Sequence, residues 1–577
     1  MELIYFKLFI FFNIYRYKMD ATLYDETIEN PLDPKPFVDK DMLYVLDQNG
    51  GSYNGQITFD TSSLSNSGRW QSFSEGYIEV PFVITALGSV DMTGTFNSFI
   101  AGLKNGTHHL IDSIQVDYNN TNVVQLQPFT NFFVSYKLMS KFSTDDLAKW
   151  GPATIFAPDN ALSYTYNAAA AVDGIGHANN KTTQPAIRTT ASWGTYAAGT
   201  GVISQFNDGL YKRLTLTANN ALGYGSLPEM VNVGAYNNVG KNYFTSTANG
   251  GAAAVVYQWN ILATVPLKFL ADFFEKIPLV KGGFMRLIIN YNSCSFTITS
   301  TGAAAAAHTL TTSVPTMLSG RTNPLMVSSS NGTGVGPTDV AAGSIAFRCG
   351  VASAPPSAGN AASSILSSCR LYVPCYSLDP KHEEELISLR PVREVVYHDI
   401  YNFNVTGIGA GASFNNILTN GIVNPKYVVI IPMVNVASNA LANLLTYQSP
   451  FDSAPGTTAP LASIYNFNVQ VGGRNIFQQN FNYDFENFMN ELSRINAING
   501  GETLGITSGL ITADMWSNAY RYYVADVSRR EKSEDIVPKS ITIIGTNNTA
   551  ITMDYICFVV FERKVKINML DGSLVRD

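Results

Sequence analysis

Twice along this chain a strand-like alternation gives way to a short amphipathic helix and then to another strand, and that recurrence limits the architectures open to it. In the first occurrence Val255, Tyr257, Trp259 and Ile261 alternate with Gln258 and Asn260, the period of a strand with one buried face. Pro266 opens a helix that puts Leu267, Leu270, Phe274 and Ile277 on one side, and Pro278 closes it, because proline cannot continue a helix. Met285, Leu287, Ile289 and Tyr291 then alternate with Arg286 and Asn290 as the next strand. In the second occurrence Tyr465, Phe467, Val469 and Val471 alternate with Asn466, Asn468 and Gln470, and Gly472–Gly473 makes a tight turn. A helix follows with Phe485, Phe488, Met489 and Leu492 on one face, then a strand around Tyr520, Tyr522 and Val524. The likeness is one of architecture rather than of residues, and it predicts two units of one design.

The junction between the units is legible. The strand LYVPCYSL (371–378) runs into Asp379 and Pro380, residues suited to a helix N-cap and first turn, and Glu383, Glu384 and Glu385 follow where the helix dipole favours carboxylates. Val395, Tyr397, Tyr401, Phe403 and Val405 begin a new strand set, and Tyr427–Val434 is continuously apolar, as for a strand buried on both faces. Ile541–Ile544 and Ile551–Phe561 are expected to close the chain as a hairpin or strand pair. Earlier, Tyr77–Ile84 reads as a strand in which Pro81 marks an edge or bulge. Residues 111–126 read as a hairpin turning at Asn119–Asn120, and Ser143 with Asp146 as a capping box. The stretches 160–250 and 301–364 are rich in Ala, Gly, Asn and Thr and nearly free of charge, so they are expected to run over the surface as long loops.

The expected fold is all-β: two fused antiparallel jelly-roll sandwiches with short helices and long surface loops. The expected organisation is an N-terminal arm 1–39, a first jelly roll 40–378, a linker helix 379–389 and a second jelly roll 390–577. The opening MELIYFKLFIFFNIYRYK admits three readings. As a signal peptide it lacks a small-residue cleavage site; as a membrane span it is short and interrupted by Lys7 and Asn13. The preferred reading starts translation at Met19, so that residues 1–18 lie outside the mature protein.

Composition narrows the function. Charged residues are 14% of the 577, against about 25% in an ordinary soluble domain, and Asn, Ser, Thr, Gly and Tyr make up the difference. A surface so poor in charge is weakly protected against self-association, which suits a protein covered by neighbours. The net charge is −7 and no Lys/Arg cluster occurs, so a specific nucleic-acid grip is not expected. The five cysteines, Cys294, Cys349, Cys369, Cys375 and Cys557, are odd in number and scattered, with no CxxC pair, and are expected as free buried thiols.

Catalytic motifs fail on inspection. His108, His109, His177, His308, His382 and His398 are scattered; the adjacent pair is expected on opposite faces of a strand, and His398 as a core or edge residue. GAYNNVGKN (234–242) has one residue too many between its glycines for a phosphate loop, and Asn242 stands where Ser or Thr is needed. In GIGAGAS (407–413) Ala412 takes the third glycine's place; both segments are expected as turns. Glu383–Glu385 read as a solvated helix start, and Cys369 with Cys375 have no histidine to serve as base. The sequons at Asn105, Asn119, Asn180, Asn331, Asn404 and Asn547 read as chance in an Asn-rich chain. No catalytic, cofactor-binding or metal residue is nominated, and no enzymatic activity is expected.

Two stretches carry a family resemblance: LKFLADFFEKIPLVKGGFMRLIINYN (267–292) and LYVPCYSLDPKHEEELISLRPVREVVYHDIYNF (371–403). They resemble the double jelly-roll major capsid proteins of polinton-like viruses and virophages, in the adenovirus and giant-virus capsid lineage. The likeness covers these junctions well and the C-terminal half loosely, and leaves 160–250 and 301–364 unmatched. It implies a homotrimer whose six sandwiches make a pseudo-hexagonal capsomer of an icosahedral double-stranded DNA virus, assembled inside the infected cell. It also implies penton and minor capsid proteins, and an internal membrane, as partners. The rivals are an extracellular adhesin or carbohydrate-binding sandwich, which calls for a secretion signal or paired cysteines, and a sandwich glycoside hydrolase, which calls for two carboxylates flanking a cleft. The stretches 160–250 and 301–364 are expected to form a tower on the particle exterior, with the N-terminal arm inside.

Overall fold

In the computed structural model the described residues are 37–88, 99–159, 209, 213, 243–249, 252–301, 309–312, 316–329, 343–351, 368–435, 462–498, 507–528, 537–550 and 552–575. The expected arm up to residue 36, the segment 234–242, His177 and His308 therefore lie outside them.

Local chemistry sets the elements. Ile111–Tyr118 turns into Thr121–Val124 through Asn119 and Asn120, whose φ values of 45° and 62° are left-handed. Asparagine tolerates that region, and such a two-residue turn matches the twist of the strands it joins. Helix Thr144–Thr154 starts with a complete capping box: Ser143 Oγ accepts the Asp146 N–H and the Asp146 carboxylate accepts the Ser143 N–H.

The principal strands fall into two sets. In chain order the first set is Phe37–Leu46, Gln56–Asp60, Tyr77–Gly88, Ile111–Tyr118, Thr121–Val124, Ala252–Pro266, Met285–Tyr291 and Arg370–Leu378. Its first, eighth, third and sixth strands lie side by side in one sheet, and its second, seventh, fourth and fifth in the other. The second set is Val392–Ile408, Ser413–Ile422, Pro425–Val434, Ile464–Val471, Arg474–Asn475, Tyr523–Asp526, Lys539–Asn547 and Met553–Asn568. It repeats the same two orders, first–eighth–third–sixth and second–seventh–fourth–fifth. Among the described residues every strand pairing is antiparallel, and the molecule is two fused jelly-roll sandwiches. Helix Pro380–Leu389 lies between them in the chain.

Several elements depart from expectation. The single helix expected after Pro266 is two turns, Leu267–Leu270 and Asp272–Lys276, separated by Ala271 in extended conformation. Phe269, Leu270, Phe273 and Phe274 are all buried. Pro81 stands in a central strand, not at an edge: on one side it falls in the gap between the 77–79 pairing with 370–372 and the 82–88 pairing with 345–351, and on the other it lies opposite Leu262. The stretch 301–364 is not all loop, for Gly343–Val351 is inserted in the large sheet with Phe347 and Cys349 fully buried. Strands Lys539–Asn547 and Met553–Asn568 do not pair with each other; each joins a different sheet. The first strand begins at Phe37, within the expected arm 1–39.

Candidate functional site

The catalytic candidates resolve into structure. His108 and His109 lie in a buried 3-10 turn, Thr107–Leu110, rather than in a strand. His108 Nε2 is 3.0 Å from Ser135 Oγ, the spacing of a nucleophile and its base. Both groups are buried, however, the serine hydroxyl donates to the Asn131 carbonyl one helical turn back, and burial pushes the imidazole down to about 3. Burial likewise holds His109 well below the ordinary histidine value, and its Nδ1 faces the Asn131 amide at 2.9 Å. Arg213, from the stretch expected to be surface loop, is fully buried instead: it pairs with Asp159 at 3.0 Å and donates to the carbonyls of Leu103 and Ala157. All five cysteines are buried and free, with Cys294 and Cys349 facing each other across neighbouring strands at 3.9 Å. GIGAGAS is the turn after Val392–Ile408, with Gly407 and Gly411 in left-handed conformation. Among the described residues no three His, Cys, Asp or Glu side chains gather as metal ligands.

Glu383 is not merely solvated. Its carboxylate accepts from Trp70 Nε1 at 3.2 Å and Lys281 Nζ at 2.5 Å, while Leu386 and Ile387 of the same helix pack on Trp70, Tyr376 and Met569. The linker helix is thereby fixed to the first sandwich. Asp379 stands at its N-cap without a capping bond; its carboxylate lies 3.3 Å from His382 Nδ1 instead.

The residues that do converge form the seam between the sandwiches. The sheet Val392–Ile408, Met553–Asn568, Pro425–Val434 and Tyr523–Asp526 turns Tyr555 inward against Phe414 and Phe558 outward. On that outer face lies helix Thr130–Lys141 of the first sandwich: Phe133 meets Phe558 at 5.4 Å and Tyr136 meets Tyr522 at 5.4 Å. The helix is buried nearly all round because each side has a sandwich against it. Its C-terminal end is closed from the second sandwich, where Leu510 N–H donates to the Met139 carbonyl at 2.9 Å.

Val392–Ile408 is the sheet's edge strand, and first-sandwich side chains take its outward N–H groups. His398 N–H donates to Asp272 Oδ2 at 2.9 Å and Asn402 N–H to Gln127 Oε1 at 3.1 Å. Burial alone would raise the Asp272 carboxyl, but the hydrogen bonds from His398 hold it well below the usual carboxylate range. Tyr397 Oη and Arg563 both donate to the Val123 carbonyl, at 2.6 and 3.0 Å, and Arg563 also donates to the Asn122 carbonyl and to Asp399. Burial raises Asp399 despite that arginine. A cavity of about 50 Å³ remains at the seam, lined by Lys137, Ser140, Asp272, His398, Asp399 and Tyr427. It has room for a few waters. Its two carboxylates are committed to backbone and Arg563, so they do not form an acid–base pair for a substrate.

On the equivalent outer face of the first sandwich Val83 and Tyr376 are buried, whereas the first strand is exposed. Met42, Tyr44 and Leu46 are 47%, 55% and 51% exposed, and Tyr44 continues into Tyr372 and Tyr77 with ring centroids 5.7 and 5.0 Å apart. Charge avoidance flags such a surface in sequence only coarsely; the seam residues carry no motif, because their partners are far away in the chain.

No family model matches the sequence, and no curated protein matches it. Among solved structures, the chain is similar to the mavirus major capsid protein, at 10% identity and a TM-score of 0.42 over 93% of this chain and 90% of that one. It is similar to the Faustovirus major capsid protein at 9% identity and a TM-score of 0.43, over 93% and 92%. A looser likeness, at 6% identity and a TM-score of 0.22 over 91% and 97%, is to the major capsid protein P2 of bacteriophage PM2. At these values no residue's role passes from one chain to the other.

Proposed function

We propose that this chain is a structural protein, the major capsid protein of an icosahedral double-stranded DNA virus, acting as a homotrimer whose six sandwiches form a pseudo-hexagonal capsomer. The observation that carries the proposal is the repetition of one strand order in two sandwiches joined by an extensive seam, which makes each chain two near-equivalent wedges of a ring. The sequence resemblance at 267–292 and 371–403 supports the same reading. So does the nature of the polar clusters: His108 with Ser135, Asp159 with Arg213 and Asp272 with His398 are structural pairs sealed from solvent or engaged at the seam, which supports a non-enzymatic role. The division at the linker helix, with 40–378 and 390–577 as the two jelly rolls, belongs to this proposal, as do penton and minor capsid proteins as partners, an internal membrane and a place in the virion. Light scattering on the purified protein tests it, with negative-stain microscopy for shape. The expected outcome is three chains in a hexagonal outline, with more than about 2,000 Å² buried per pair as in obligate contacts. A stable monomer at micromolar concentration overturns it.

A further inference from the structure

We propose that Cys294 and Cys349 are a site of oxidative modification: the chain folds with both thiols reduced, and the pair closes into a cross-strand disulfide once the protein meets a low-molecular-weight disulfide outside the cell. The change of surroundings rests on the virion reading given above; the bond itself does not.

The fold brings these two thiols together and leaves the other three apart. Cys294 lies on strand Ser293–Thr301 and Cys349 on Gly343–Val351, and the register sets the two residues directly opposite each other. Directly opposed residues of an antiparallel pair have Cα atoms about 4.5–5.5 Å apart, within the span of about 4.4–6.8 Å that a disulfide bridges. The two sulfurs already lie 3.9 Å apart, so closing them to a bond asks for side-chain rotation and not for a new register. Phe296 and Phe347, the next pair on the same face, stack at 5.4 Å and hold the two strands in that register. Cys294 Sγ also donates to Asn323 Oδ1 at 2.9 Å; oxidation removes that donor, and the oxygen keeps the Leu325 N–H at 3.0 Å. The remaining thiols are placed differently. Cys375 and Cys557 turn theirs to the carbonyls of Val373 and Tyr555, and Cys369 stands beside Asp47 and Tyr53, which accept its N–H.

Burial sets the rate. Both residues are fully buried, and burial pushes the Cys349 thiol well above its ordinary value, so the closed fold offers little thiolate to attack. The reaction therefore proceeds from chains whose strands have opened locally, and it is slow. One thiolate attacks the small disulfide R–S–S–R and expels an R–S anion, which takes up a proton; the second thiol, deprotonated, attacks the mixed disulfide and expels the other R–S anion. Two protein thiols and one R–S–S–R become one protein disulfide and two R–SH. Strands closing again over a buried site expel a retained R–S group in favour of the internal bond. The product ties the inserted strand to the one before it and closes residues 295–348 into a covalent loop, which removes freedom from the unfolded chain. A reducing cell interior keeps the pair open, and oxidising surroundings let it close.

The assembled protein tests this. It is incubated for days with oxidised glutathione, denatured and alkylated, and its peptides are sequenced by mass spectrometry without reduction. Two fewer alkylated thiols than in untreated protein are expected, with the bond placed between Cys294 and Cys349. The Tm is expected to rise by about 3–6 °C and to return on addition of dithiothreitol. Cys349→Ala, or Cys294→Ala should the first not fold, is expected to show neither bond nor rise. All five thiols still alkylated, glutathione retained on either cysteine, or a bond to Cys369 instead overturns the site while leaving the capsid reading standing. A wild-type monomer carrying the Cys294–Cys349 bond supports the site and overturns the capsid reading.

Discussion

Two sheets at the same place in the two sandwiches meet opposite fates. Phe558, Val560 and Tyr427 on one outer face are sealed under a helix, whereas Met42, Tyr44 and Leu46 on the other stand in solvent. Strand order is identical, so it does not decide burial; what lies alongside does. Both faces nevertheless carry apolar side chains, although Lys40, Glu79 and Arg370 share the second with them. A sheet normally shows one apolar and one polar face, and when both are apolar each calls for a cover.

This contrast can be broken experimentally, and the sharpest instrument is the covering helix. Phe133→Ala removes a buried aromatic from the internal seam and is expected to destabilise the unassembled chain by about 3–5 kcal/mol in denaturant unfolding. The counterpart change Met489→Ala, on a helix with a free side, is expected to cost about 1 kcal/mol or less. Equal losses would mean that burial between two sandwiches adds nothing to what a helix gains from one. Next in size is Gly572→Ala. Gly572 sits at φ +69°, against Gly283, with its carbonyl accepting from Tyr118 Oη and Asn119 Nδ2 at 2.8 Å each. Left-handed strain and crowding together are expected to cost about 2–4 kcal/mol, seen as a lowered Tm.

Acid gives a smaller effect with a definite sign. The folded chain holds Asp272 below its ordinary value, so the unfolded chain takes up this proton first as pH falls. The stabilisation is full above about pH 4 and is lost on further acidification, and Asp272→Asn is expected to flatten that limb in pH-dependent unfolding. Asp399, raised by burial, adds the opposite slope, so the two carboxylates of one seam are separable by substitution. The smallest effect is expected from Tyr44→Ser in the unassembled chain, within about 0.5 kcal/mol of wild type, because that ring is exposed until a neighbour arrives.

Strand periodicity, turn asparagines and the capping box were legible because each is a local device: Asn119–Asn120 and Ser143–Asp146 act within a few residues. The continuous apolar run at Tyr427–Val434 was legible too, because both faces of that strand are covered. What sequence could not show was decided at a distance. Gly343–Val351 looks like loop by composition but is held by two flanking strands. Arg213 follows Lys212 in a stretch otherwise poor in charge, and nothing local announces that its place is set by Asp159 and the Leu103 and Ala157 carbonyls. The seam was invisible for the same reason, since His398 and Asp272, or Arg563 and Val123, announce nothing about each other.

The linker helix has a mechanical consequence. Two sandwiches joined by a free segment would swing about it. Here the segment is stapled through Glu383 to Trp70 and Lys281, and the chain's last turn returns to the same spot, with Met569 under Trp70 and the Gly572 carbonyl held by Tyr118 and Asn119. Helix Thr130–Lys141 and the Leu510 contact fasten the pair elsewhere. Attachments at separate points leave no axis to rotate about, so each chain behaves as one stiff plate. In any assembly of such plates the compliance resides in the joints between chains, and bending or swelling of the whole is borne there rather than inside the subunit.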